Sequence, residues 1–148
     1  MGNFDLSFNW KNKNIVIVED DVSNFRYFET ILKKTRASIH WIKDGREAVN
    51  YCTNPSNNID LVIMDILVPF VTGIEATREI KKIRKNIPVI AVTAYVSRDI
   101  QEKCFMAGCD EFLFKPLLPK QLLNLITRFF EKDQVRENQH SYTANSSK

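Results

Sequence analysis

Leu61-Val62-Ile63-Met64-Asp65 is the stretch whose reading decides the fold. Four apolar residues, with β-branched Val62 and Ile63 at the centre, run straight into one carboxylate. An unbroken apolar run of this kind reads as a strand buried on both faces, as in a parallel sheet with helices above and below. A carboxylate is out of place inside such a strand. At the carboxyl end it stands in the crevice where open α/β sheets bind ligands. Asp65 is therefore the candidate reactive group. Ile66-Leu67-Val68-Pro69 and then Gly73 carry the chain toward the next helix.

Outward from this strand the pattern repeats. Upstream, Ile15-Val16-Ile17-Val18 is a second buried strand that also ends in acid, at Glu19, Asp20 and Asp21. Ser23 and Asn24 offer a helix start, and Phe25, Phe28 and Leu32 follow at helical spacing. Ser38 to Ile42 reads as a short strand, and Gly45 opens a helix that Asn54-Pro55 stops. Downstream, Gly73 leads into a helix with Ala76, Ile80 and Ile83 on its inner face. Pro88 to Thr93 is a strand with a hydroxyl at its end. Ser97 caps a further helix that Gly108 ends. Phe112 to Lys115 is the last strand, and Pro119 begins the last helix, with Leu122, Ile126 and Phe129 facing inward. Five β-α units in alternation give a parallel sheet with helices on both faces and right-handed crossovers.

The flanks differ. Phe4, Leu6, Phe8 and Trp10 alternate with polar residues, so residues 1–13 read as an extended linker arm lying on the domain, or as the tail of an upstream domain. After Lys132 the apolar pattern stops, and residues 133–148 read as a disordered tail. The folded domain is expected over 14–132.

Composition narrows the classes. The chain has 148 residues, 44% hydrophobic and 26% charged, as expected of one globular domain. Its net charge of +3 comes from 21 basic and 18 acidic residues with no long basic block. Lys81-Lys82 and Arg84-Lys85 sit at a helix end, where cations suit the dipole. Direct nucleic-acid binding is not expected. Three cysteines, Cys52, Cys104 and Cys109, without a CxxC pair indicate reduced thiols and a cytoplasmic setting. No apolar run is long enough to span a bilayer, so no membrane contact by this domain is expected, although a parent protein could be membrane-bound.

The strand ends carry the chemistry. Glu19 and Asp20, Asp65, Thr93 and Lys115 would converge if their strands are neighbours. Clustered carboxylates repel one another, which raises a pKa or calls for a cation. An all-oxygen donor set suits Mg²⁺. A hydroxyl and an ammonium beside it suit a tetrahedral anion such as a phosphoryl group.

This ordered set, with Pro69 and Gly73 after the central Asp and Lys115-Pro116 at the end, resembles the receiver domain of two-component response regulators over residues 13–131. The resemblance implies a flavodoxin-like doubly wound (βα)5 fold with sheet order 2-1-3-4-5. It implies that Asp65 is the phosphoacceptor, taking its phosphoryl group from a histidine. It implies Mg²⁺ held by Asp20, Asp65 and the backbone carbonyl of Leu67, with Glu19 acting through water. Thr93 and Lys115 would bind the phosphoryl oxygens, and Phe112 would be an aromatic switch that turns inward with Thr93. Lys115-Pro116 would be cis. Gly73 to Arg78 and Thr93-Ala94 look most like receivers fused to hybrid histidine kinases. Val68, Phe70, Val71 and Thr72 depart from the usual loop without removing a reactive group. Bulky Leu67 and Tyr95 flank the site and would slow attack by water.

The expected partner is a histidine kinase or a histidine phosphotransfer protein. The expected output surface is formed by the fourth helix, fifth strand and fifth helix, with a homodimer through it as one further expectation. The domain would phosphorylate and dephosphorylate itself, with no external turnover substrate. A stand-alone regulator acting by direct protein binding and an unphosphorylated pseudo-receiver are the alternatives. An aspartyl-phosphate phosphohydrolase usually needs a second Asp where Leu67 stands.

Overall fold

The computed structural model describes residues 8–95 and 97–145, with 133–145 described by backbone alone. The chain divides into two compact units, with the boundary in sequence between Leu117 and Leu118. Strands β1 (Asn14–Val18), β2 (Ser38–Ile42), β3 (Leu61–Asp65), β4 (Val89–Thr93) and β5 (Glu111–Phe114) form one sheet in the order β2-β1-β3-β4-β5. Every neighbouring pair is parallel. The expected strand order is therefore the observed one. Helices α1 (Val22–Lys33), α2 (Gly45–Thr53), α3 (Gly73–Ile83) and α4 (Arg98–Ala107) make the connections, and α5 (Pro119–Asn145) forms the second unit.

The order explains the layering. The step from β1 to β2 runs one way across the sheet; the steps through α2, α3 and α4 run the other. Right-handed crossovers in opposite directions lie on opposite faces, so α1 covers one face and α2 to α4 the other. Pleat alternation feeds both. Val16, Val18, Val62, Met64, Val89 and Ala91 join Ala48, Cys52, Ala76, Ile80 and Cys104 in one core cluster. Ile15, Ile17, Leu61, Ile63 and Ile90 point the other way and are equally buried. This two-sided burial is why β3 reads as a continuous apolar run.

Local chemistry sets the helix starts. Asp44, Thr72 and Ser97 each cap a helix by accepting a backbone N–H three residues on. Asp21 does the same for α1, through Asn24 N at 2.8 Å, so the cap is neither Ser23 nor Asn24. An Asp at the end of an acidic run serves the helix as well as the crevice. Gly108 ends α4 in the left-handed region, at φ 109°.

Three expectations of packing change. Ile83 is 65% exposed, because α3 ends there and its apolar stripe has passed the edge of the sheet. In α5 the buried stripe is Leu122, Leu125, Ile126 and Phe130, a wider face than expected, with Phe129 only partly buried. The α5 backbone also continues helically to Asn145, past the residue at which a disordered tail was expected to begin. Extending a helix already nucleated needs only good helix formers, and Glu131 to Gln139 is rich in them. Side chains beyond residue 132, His140 included, lie outside the described residues, as do Phe4 and Leu6 of the arm.

Trp10 is buried, donates its N–H to Thr35 O at 2.7 Å, and meets Phe8 edge-on at 5.6 Å. Arg84, read as a helix-end cation, reaches instead across to α2. Its Nη1 donates to the carbonyls of Cys52, Asn54 and Asn57 at 3.2, 3.2 and 2.7 Å. Lys81 pairs with Asp110 at 2.6 Å and Lys82 with Glu79 at 3.1 Å. Among the described residues, no helix is long and apolar enough to cross a membrane.

Candidate functional site

Strand register assembles the site. Val18 pairs with Met64, Asp65 with Val92, and Thr93 with Phe114. Glu19 and Lys115 are the next residues along β1 and β5, so five chemically active groups arrive at one end of the sheet. The loops then refine their placement. Lys115 N–H donates to Thr93 O at 2.8 Å, and Gly73 N–H donates to Ile66 O at 2.8 Å.

Asp65 is 7% exposed. Its Oδ1 accepts the Leu67 N–H at 3.0 Å, and its Oδ2 faces Lys115 Nζ at 3.1 Å. The same ammonium lies 3.0 Å from Glu19 Oε2. Glu19 is buried, with Oε1 accepting from Asp21 N at 3.2 Å and from Asn24 Nδ2 at 3.4 Å. Burial, and then the Asp65 carboxyl beside it, push Glu19 up to about 7 against the pull of Lys115. Burial lowers Lys115, but its hydrogen bond to Glu19 and the charge of Asp65 outweigh that and hold it above the ordinary lysine value. Two carboxyl groups thus share one ammonium at the centre.

Asp20 completes the acid cluster and is exposed. Ligand oxygens of Glu19, Asp20 and Asp65 all lie within 4.8 Å of one another. Opposite ligands of an octahedral Mg²⁺ are about 4 Å apart, so oxygens at this spacing could share one such ion, directly or through water. The donor chemistry fits as well, since hard oxygen ligands with surplus negative charge select a small divalent cation.

Thr93 is buried at the end of β4, its Oγ1 accepting the Tyr95 N–H at 3.1 Å. Phe112 also lies inward, in the core cluster, with its ring 4.9 Å from that of Phe114. The Lys115-Pro116 bond is cis, as the family resemblance implies. Leu67 and Tyr95 are both more than half exposed at the rim. A cleft of about 520 Å³ opens beside Lys115, lined among others by Asn24, Tyr27, Ala94 and Pro116.

Glycine allows the loop after Asp65 to sit where it does. A Cβ on Gly73 would lie 2.3 Å from Asp65 O, and one on Gly45 would lie 1.8 Å from Val71 O. Sequence reasoning noted both glycines as helix openers but not these close approaches. It also missed Asn24 and Trp41. Asn24 was read only as a cap. Trp41, whose indole Nε1 donates to Glu19 O at 2.7 Å, left no signal in an ordinary edge-strand pattern.

Residues 15–127 match the response regulator receiver domain family. Hybrid signal transduction histidine kinase I of Dictyostelium discoideum is 34% identical over 143 residues, covering 92% of this chain and 8% of its own length. Probable histidine kinase 6 of Oryza sativa is 31% identical, covering 78% of this chain and 14% of its own length. The chain therefore spans a small part of the curated relatives it matches. Among solved structures, the receiver domain of a Pseudomonas aeruginosa sensor histidine kinase, with a magnesium ion in its active-site cleft, is 29% identical, with a TM-score of 0.73 over 79% of this chain and 96% of that one. A Saccharomyces cerevisiae response regulator receiver domain, crystallised with its histidine phosphotransfer protein, is 30% identical, with a TM-score of 0.72 over 79% of this chain and 88% of that one. With the strand order, the acid cluster and Lys115 already in place, these matches show that the chain belongs to the response regulator receiver domain family.

Proposed function

We propose that this domain takes a phosphoryl group from a phosphohistidine onto Asp65 and signals that it has done so. The observation that carries the reading is the single ammonium of Lys115 set between Asp65 and Glu19. Glu19, Asp20, Asp65 and the Leu67 carbonyl are the residues that would hold Mg²⁺, Glu19 through water. When bound, the ion supplies positive charge against the phosphoryl oxygens and orients the carboxylate.

The protein's own groups account for the rest. A carboxylate oxygen of Asp65 attacks phosphorus in line as the P–N bond breaks. The imidazole nitrogen leaves with the bonding pair and takes up a proton. Lys115 pairs with a phosphoryl oxygen in place of one of its present carboxylates. Thr93 donates its hydroxyl proton to another, which draws β4 toward the site. Phe112, three residues before Lys115, follows Thr93 and passes the change to the surface of α4, β5 and α5. Exposed Phe105 and Met106 on α4 offer apolar contacts there, for a target or for a second copy of this chain. Leu67 and Tyr95 at the rim slow attack by water on the acyl phosphate.

The relatives support a histidine kinase or histidine phosphotransfer protein as partner, and a hybrid histidine kinase as the setting. The domain then promotes its own phosphorylation and dephosphorylation and turns over no separate substrate, and it works in the cytoplasm.

Intact mass after incubation with a small phosphodonor, with and without Mg²⁺, tests this on the natural sequence and on Asp65→Asn. The expected result is a Mg²⁺-dependent gain of about 80 Da that the variant lacks. No gain and no Mg²⁺ binding would make the domain a pseudo-receiver that partners read unmodified.

A further inference from the structure

Glu19 is gripped from two directions by the end of β2. Its N–H donates to Ile42 O at 2.9 Å, which continues the β1–β2 ladder one step beyond Val18. Its carbonyl accepts from the Trp41 indole at 2.7 Å. The indole is itself held in place. Phe25 of α1 stacks on it with centroids 4.1 Å apart and planes 1° from parallel, and Lys43 Nζ lies 4.7 Å from the ring centroid.

The Glu19 carbonyl belongs to the planar peptide group that joins Glu19 to Asp20. Whatever fixes that oxygen also fixes the directions in which both residues leave the backbone. Glu19 stands one residue past the end of β1, and the indole N–H of Trp41, from edge strand β2, supplies the donor to its carbonyl. We infer that Trp41 is a positioning residue of the metal site: its N–H orients the Glu19–Asp20 peptide so that both carboxylates face Asp65 before a cation arrives. Pre-orientation of this kind raises affinity because the loop is not ordered at the expense of binding. The inference rests on the reading of Glu19, Asp20 and Asp65 as a Mg²⁺ cluster.

Two variants separate the hydrogen bond from the packing. Trp41→Phe keeps an aromatic ring against Phe25 and removes the N–H. Phe25→Leu keeps the N–H and removes the stack. Calorimetric Mg²⁺ titration gives the affinity, and the thermal midpoint in chelator gives the stability. Trp41→Phe is expected to weaken Mg²⁺ binding about three- to tenfold, the size of one such hydrogen bond. Phe25→Leu is expected to lower the midpoint and leave the affinity nearly unchanged. Lowered midpoints in both, with the same affinity as the natural protein, would make Trp41 merely structural and overturn the inference. Should Trp41→Phe fail to fold, exchange of the Trp41 indole N–H proton is followed by NMR in the natural protein, in chelator and in Mg²⁺. An indole N–H protected in chelator as well as in Mg²⁺ supports the inference, and one that exchanges freely in chelator overturns it. A natural protein that takes up no Mg²⁺ overturns the metal assignment and this inference with it. Normal uptake that Trp41→Phe does not weaken overturns only the inference.

Discussion

Lys115 Nζ and Asp65 Oδ2, 50 residues apart in the chain, lie 3.1 Å from each other across the end of the sheet. The same nitrogen is 3.0 Å from Glu19 Oε2, so one ammonium joins the ends of three strands. Lysine has three donors and no acceptor, and two of them are committed here to carboxylates.

Lys115→Ala leaves two mostly buried carboxylates facing each other. Stability in the absence of metal is expected to fall by about 2–3 kcal/mol, less than for a fully buried pair because the Lys115 side chain is partly exposed. Phosphoryl uptake is expected to slow about 10²- to 10³-fold through loss of a cation at the transferring group. Urea unfolding and time-resolved mass measurement check the two effects separately. Unchanged unfolding would show that the ion pairs hold nothing together.

Gly73→Ala places a methyl group 2.3 Å from Asp65 O and 2.7 Å from Ile66 Cα, both backbone atoms that a rotamer change cannot move. The loop after Asp65 has to shift. A loss of about 1–3 kcal/mol is expected, together with impaired phosphoryl uptake. Thermal melts alongside uptake assays test this, and a variant with natural uptake would show that the loop tolerates the displacement.

Arg84→Ala removes a guanidinium that gathers three backbone carbonyls at and just beyond the end of α2. About 1–3 kcal/mol of stability should be lost, while phosphoryl uptake per folded molecule stays the same, because these contacts lie at the opposite end of the sheet from Asp65. A change in uptake at full folding would reveal coupling between the two ends.

Burial pushes the Cys52 and Cys104 thiols up to about 12 from an ordinary value of 9.0, and Cys109 moves the same way. A thiol raised on folding contributes stability that is fully present below about pH 9 and is lost as pH rises toward 12. Stability set by the thiols should therefore be level from pH 6 to 9 and decline above it. At pH 8 iodoacetamide should leave all three cysteines of the native protein unmodified and alkylate all three in denaturant. Rapid native alkylation at any one, read by mass, would contradict its burial.

Much of the molecule was legible in the sequence because its signals are local. A strand buried on both faces must be apolar throughout, so β1, β3 and β4 announce themselves, and the side chains that end them stand out by being polar. Capping residues and glycines mark the helices between. Asp65, Glu19, Asp20, Thr93 and Lys115 could thus be picked out as strand-end groups, and strand order followed from the family resemblance.

What the sequence could not settle depends on which groups meet across strands. Whether Lys115 faces Asp65 or solvent follows from parallel register and loop placement, and neither leaves a periodic trace. The same is true of the Trp41 indole on Glu19, of Arg84 beneath α2, and of the contacts that require Gly45 and Gly73. The apolar period also overran the sheet at Ile83, because periodicity says which side of a helix is apolar and not where the surface it packs on ends. By itself the sequence determined the elements and the groups at their ends, through backbone periodicity and residue type. The tertiary structure alone decided which groups touch, because hydrogen bonds and charge pairs act over about 3 Å, a distance set by packing and not by position in the chain.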